Sequence, residues 1–180
     1  PGEFLICTPD AVSVSRRPLD LGRRPVRYGR ATDYAEHFRA LLDQAVARSL
    51  TDGGERIGIM LSGGMDSGPV AALAQRCLST GGRSLTAYSW SLPGYASADE
   101  GAEVTACANN VGCGLHLLPV ADDWPFRDLG HWPVNPNSPW SNAYRRLKLG
   151  VYRAAAEGGC RVVLNAAAGD LIYPHPGHCL

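Results

Sequence analysis

Two hydroxyls, one carboxylate and two adjacent glycines fall within six residues, Ser62-Gly63-Gly64-Met65-Asp66-Ser67. Small residues at 62–64 let backbone N–H groups approach a ligand closely and turn toward it. The apolar run Ile57-Gly-Ile-Met-Leu61 precedes them at strand length, and Val70, Leu73, Ala74, Cys77 and Leu78 behind them make a helical stripe. Asp66 or Ser67 is placed to cap that helix, and Pro69 suits its first turn. A helix start with free N–H groups and two hydroxyls suits a polyphosphate. The Asp66 carboxylate would repel one unless Mg²⁺ lay between them.

The elements around this loop alternate. A helix is expected over 32–50, from Tyr34, Phe38, Leu41, Leu42, Ala45 and Val46, with Asp33 and Glu36 as a capping box. Next come the strand at 57–61, the helix at 68–79 and a strand from Ser84 to Trp90. Ser97-Ala-Asp99-Glu100 is a second capping box, opening a helix to about Asn110. A strand at 115–120, a Trp- and Pro-rich connection over 122–140 and a helix over 141–157 follow. That helix would bury Tyr144, Leu147, Val151 and Ala155, and a strand at 161–165 opens onto Ala166-Ala-Ala-Gly-Asp170. Such alternation specifies an α/β fold, a Rossmann-like parallel sheet with helices on both faces. Ligands then bind beyond the carboxyl ends of the strands, where the Ser62 loop, the Trp90–Gly94 turn and the 166–170 loop would meet. The 122–140 connection is long enough for a lid or substrate loop. Packing beneath that loop is the expected use of Trp124, Trp132 and Trp140.

Composition narrows the classes. The chain has 180 residues, net charge +0 and 45% apolar residues, which suits one main globular domain and gives no pull toward nucleic acid. No run nears the roughly 18 apolar residues of a membrane span. The start at Pro1 shows neither a basic nor an apolar leader segment, and without Met it suggests an excised or processed piece. The six cysteines form no Cys-x-x-Cys pair and sit mostly in apolar stripes, as buried reduced thiols of a cytoplasmic protein would. Residues 1–31 show one short strand, Glu3–Cys7, then an arginine-rich segment broken by Pro and Gly, expected to be a solvated linker. His175 and His178 lack a third ligand and belong to a Pro-constrained terminal loop.

Ser62-Gly-Gly-Met-Asp66-Ser67 resembles the SGGxDS pyrophosphate loop of the ATP pyrophosphatase (PP-loop) superfamily, which cleaves ATP between its α- and β-phosphates. The segments Tyr88-Ser-Trp-Ser-Leu-Pro-Gly94 with Asp99-Glu100, and Arg161-Val-Val-Leu-Asn-Ala-Ala-Ala-Gly-Asp170, are similar to the asparagine synthetase family's synthetase domain. Residues 1–31 then resemble the end of a preceding domain and a linker, and 32–180 the N-terminal part of the synthetase domain. The resemblance implies that Ser62, Gly63, Gly64, Asp66 and Ser67 hold the pyrophosphate of ATP. Leu61 and Trp90 would flank the adenosine, with Ala166 beside the nucleotide, and Asp66 and Asp170 would share Mg²⁺ as the catalytic carboxylates. It implies an AMP-forming ligase that activates a small-molecule or peptide carboxylate as acyl-adenylate, then makes an amide with ammonia or an amine. A glutaminase domain or other ammonia source, and a homodimer, are the implied partners; membrane and nucleic acid are not.

The sequence also departs from that pattern. Ala167 and Leu171 stand where the family's Gly-Glu-Gly-x-Asp-Glu loop carries its two glutamates, and Ala166 and Ala168 replace glycines. The first glutamate would do acid–base work on the amine, a role worth roughly 10²–10⁴ in rate. Two other readings therefore remain open. One is an ATP-binding module of the same fold that no longer catalyses. The other is a different PP-loop enzyme, tRNA-modifying or NAD- or GMP-forming, although the neutral chain lacks a thiol pair for sulfur transfer.

Overall fold

The computed structural model describes residues 3–16, 26–51, 54–120, 127, 129–131 and 144–167. Its contacts divide the chain into two units, Pro1–His37 and Phe38–Leu180.

In the first unit, strands β1 (Glu3–Cys7) and β2 (Val12–Arg16) form an antiparallel hairpin, with Leu5 opposite Val14 and Cys7 opposite Val12. The expectation of featureless linker after Cys7 is corrected here. Val12-Ser-Val-Ser alternates with the period of a strand, and Thr8 closes the turn by accepting from the Ala11 N–H at 3.1 Å. Phe4, Leu5, Ile6, Val12 and Val14 are exposed.

Helix α1 (Ala31–Ser49) occupies the predicted span. Asp33 is inside its first turn rather than capping it, and accepts from Arg30 Nη2 at 2.8 Å. Of the predicted stripe, Val46 is buried and Leu42 packs against the core, whereas Tyr34, Phe38 and Leu41 are exposed.

The second unit carries a four-stranded sheet in the order β5-β4-β3-β6, every neighbouring pair parallel. Its strands are β3 (Arg56–Met60), β4 (Ser84–Ser91), β5 (Gly114–Pro119) and β6 (Val162–Leu164). Crossovers run through α2 (Ser67–Ser79), α3 (Gly101–Val111) and α4 (Arg145–Glu157). The predicted α/β parallel sheet with both faces covered is the fold observed. Alternation along the strands builds two cores. Ile57, Ile59, Leu85, Ala87 and Leu164 face Val46, Leu50, Ala71, Ala74, Leu78, Val104 and Ala108 of α1 to α3 and their flanks. On the other side Met60, Tyr88, Trp90 and Val163 pack with Val151, Ala154 and Ala155 of α4.

Gly58 sits in the middle of β3 because a side chain there would crowd the sheet. A Cβ would lie 3.1 Å from Val163 Cγ2 and 3.4 Å from the Tyr88 ring. Tyr144 stands before α4 and is exposed, which corrects its predicted place on the buried face; Leu147, Val151 and Ala155 are buried as expected. Among the described cysteines all are free, but only Cys160 is buried. Cys7 is exposed on the hairpin, and Cys77, Cys107 and Cys113 are half-buried against the core. Within the 122–140 connection the structure describes Arg127 and a 3₁₀ turn, Leu129–His131; its tryptophans Trp124, Trp132 and Trp140 lie outside the described residues. Among the described residues, no helix is long and apolar enough to cross a membrane.

Candidate functional site

The parallel sheet puts every strand's carboxyl end on one edge, and a cavity of about 370 Å³ opens there. β3 supplies Met60 and the residues after it, Leu61, Ser62, Asp66 and Ser67. Ser89 and Trp90 come from β4, and Asn165, Ala166 and Ala167 follow β6. Ala98 and Glu100 precede α3, while Lys148 and Tyr152 project from α4.

Six residues predicted at the nucleotide, Leu61, Ser62, Asp66, Ser67, Trp90 and Ala166, therefore share one cavity. Gly63 and Gly64 complete the loop between them without lining it. Asp170, Leu171, His175 and His178 lie outside the described residues.

The loop is braced from within. Leu61 N–H still donates to Tyr88 O at 3.0 Å, so sheet pairing continues up to the turn. The Ser62 N–H donates to Ser67 Oγ at 3.1 Å, and the two serine hydroxyls are 3.1 Å apart. Ser67 is 4% exposed, so its hydroxyl is a built-in partner for a backbone donor that would otherwise go unmet. The predicted capping is corrected: Asp66 occupies the N-cap position in a helical conformation and makes no capping bond, and Ser67 turns back to Ser62. Asp66 is thus left exposed, with its carboxylate on the cavity.

The segment before α3 departs furthest from expectation. No capping box forms at 97–100. Asp99 Oδ1 instead accepts from the N–H groups of Leu92 at 3.1 Å and Gly101 at 3.0 Å, tying the end of β4 to the start of α3. Glu100 turns away from its own helix and accepts from the Gly63 N–H at 2.9 Å through Oε2. That approach requires glycine at 63, where a Cβ would lie 2.9 Å from Glu103 Cβ. Acidic side chains before a helix signal capping by sequence; here Glu100 serves a loop that only the tertiary fold brings near, and Asp99 divides its oxygen between the first N–H of α3 and the distant Leu92.

The residues present fit a magnesium nucleotide. Asp66 is an exposed hard oxygen donor on the cavity, and Mg²⁺ commonly takes one or two carboxylates and completes its shell with phosphate oxygens and water. Among the described residues, no group of three His, Cys, Asp or Glu side chains is arranged to hold a metal by itself.

Ser89, Lys148, Tyr152 and Asn165 were not singled out from the sequence, and Glu100 was read there as a helix cap and not as a cavity residue. Lys148 and Tyr152 carried a usable signal, an i, i+4 polar pair flanking the buried stripe of α4.

The comparisons bear on this geometry. No curated protein matches the chain. An NH3-dependent NAD synthetase from Campylobacter jejuni is similar over 76% of this chain, at 14% identity and TM-score 0.49. The U34-tRNA thiolase NcsA from Methanococcus maripaludis is similar over 79% of it, at 16% identity and TM-score 0.52. The chain spans 58% of the first and 52% of the second. The asparagine synthase model matches residues 37–174, a range that holds the loop, the cavity and the whole parallel sheet. The chain accordingly belongs to the asparagine synthase family, whose members use ATP to adenylate their substrates.

Proposed function

We propose that this chain forms the nucleotide-binding part of an AMP-forming, amide-making ligase. The carrying observation is that Ser62, Asp66, Ser67, Trp90 and Ala166, from three separate strand ends, line one cavity. In this reading the Ser62–Ser67 loop takes the β- and γ-phosphates of ATP, and the Leu61 and Trp90 segments take the adenosine. A carboxylate oxygen of the acyl substrate attacks the α-phosphorus. The bond from that phosphorus to the bridging oxygen breaks, and pyrophosphate leaves. Ammonia or an amine then attacks the acyl carbon, its carbon–oxygen bond to AMP breaks, and the nitrogen loses a proton. Mg²⁺, held by Asp66 with Asp170 as a second ligand, would offset charge on the phosphate oxygens. The loop's hydroxyls and N–H groups orient the leaving group, and such positioning carries most of the catalysis in phosphoryl-group chemistry.

ATP–pyrophosphate exchange over a panel of carboxylates, run on the full-length protein, tests this reading. Exchange dependent on one carboxylate is the expected result, and none with any of them would count against it.

One observation favours a second reading, a nucleotide-binding module without turnover. Ala167 stands on the cavity wall, and its N–H donates to the Asn165 side chain at 3.1 Å, so no acid or base occupies that position. Calorimetric binding of Mg·ATP with no AMP released would select the module over the ligase.

A further inference from the structure

We propose that Lys148 is the cation that holds the phosphate chain of the nucleotide from the side opposite the Ser62–Ser67 loop. The inference rests on the ATP reading above and adds a binding residue that the motif does not contain.

Lys148 is the single lysine in a chain whose other basic side chains are arginines. No arginine lines the cavity, so Lys148 is its one positive side chain among the described residues. It lies one turn into α4, half-buried, with Tyr152 four residues on and on the same cavity. Leu147, Val151, Ala154 and Ala155 are buried and fix the rotation of α4 against the sheet, so the 148/152 edge is held toward the cavity. The ammonium has no ion-pair or hydrogen-bond partner among the described residues, although Asp66 and Glu100 share its cavity.

Charge makes that arrangement informative. Two carboxylates and one ammonium leave the cavity negative before a polyanion enters. Mg²⁺ held by Asp66 would offset part of the phosphate charge, and a mobile point charge with three donors suits the rest. A lysine on a flexible stem serves that purpose without demanding the fixed bidentate geometry of arginine.

The test measures binding of ATP, pyrophosphate and adenosine to the full chain, wild type against Lys148→Gln and Lys148→Arg. A charge-assisted contact predicts a loss of about 10–100-fold for ATP in Lys148→Gln. Adenosine affinity should be unchanged, and Lys148→Arg should recover part of the loss. In parallel, pyridoxal 5′-phosphate followed by borohydride should label Lys148, mapped by peptide mass, with ATP and pyrophosphate protecting and adenosine not. Equal losses for ATP and adenosine in Lys148→Gln would mark a structural residue and overturn the proposal. Unchanged ATP affinity with a raised KM for the carboxylate would overturn it too, giving the ammonium to the acyl substrate. Wild type that binds ATP while the Lys148→Gln variant binds it equally well sinks this inference alone. Wild type that binds no ATP sinks the nucleotide reading and this inference with it.

Discussion

The backbone N–H of Gly63 and the carboxylate of Glu100, 37 residues apart, meet at 2.9 Å across the mouth of the Ser62–Ser67 loop. An acidic oxygen thus stands on one of the donors that a phosphate oxygen would claim. Binding a polyphosphate there means displacing that carboxylate or sharing the donor with it. Glu100→Ala should therefore tighten Mg·ATP binding about 2–10-fold, the worth of one exposed hydrogen bond of this kind. Titration calorimetry decides the matter: a comparable weakening would instead make Glu100 a positioning residue for the loop.

Ser62 and Ser67 should separate under mutation although they touch. Ser67→Ala removes a buried acceptor and orphans the Ser62 N–H, so it should cost about 1–3 kcal/mol in denaturant unfolding. Ser62→Ala changes an exposed hydroxyl and should stay within about 0.5 kcal/mol of wild type while lowering ATP affinity.

Asp66 is exposed and makes no capping bond, so Asp66→Asn should leave the unfolding midpoint unchanged. In the proposed function its effect belongs to the metal. The gain in ATP affinity on adding Mg²⁺ should shrink by roughly tenfold, about 1.4 kcal/mol. Binding titrations with and without Mg²⁺ measure the difference, and an unaltered gain would remove Asp66 from the metal site.

On the α4 face, burial raises the Tyr88 phenol to about 12, helped by its contact with Cys160 at 3.6 Å and opposed by Arg56. The folded state thus keeps this proton more tightly than the unfolded chain, whose tyrosine titrates near 10. The linked stability is fully present below about pH 10 and is lost as pH rises toward 12. Unfolding followed from pH 9 to 12 should show that loss, and Tyr88→Phe should remove the phenol's share of it.

Thiol chemistry offers another check. Cys7 is exposed, whereas burial raises the Cys113 thiol and Cys160 is buried in the α4 core. Iodoacetamide at neutral pH should modify Cys7 before any other described cysteine and leave Cys113 and Cys160 unmodified until the protein unfolds.

Much of this molecule was legible because its signals are local. The apolar run 57–61, the small residues 62–64 and the stripe of α2 each lie in one short window, and together they specified strand, loop and helix. The parallel sheet followed from repeating that alternation. Contacts made at long range were not legible. Ser97 and Glu100 have the spacing of a capping box, yet Glu100 and the neighbouring Asp99 accept from Gly63 and Leu92, which are set by where β3 and β4 end. The β1–β2 hairpin was legible in principle, since Val12 and Val14 alternate with serines, but punctuation by Pro and Gly outweighed the pattern. Tyr144 fitted the helical period and still fell outside α4, because periodicity alone does not fix where a helix starts.

The four strands of the β5-β4-β3-β6 sheet point the same way, so the turns that feed them sit on the edge away from the cavity. Arg83 N–H closes one such turn on Leu78 O, Gly112 caps α3 in a left-handed conformation, and Gly159 leads into β6. That far rim is where a fluorophore, an affinity handle or a grafted peptide can be spliced without touching chemistry at the opposite edge. The fold thereby separates a surface open to engineering from one that is not.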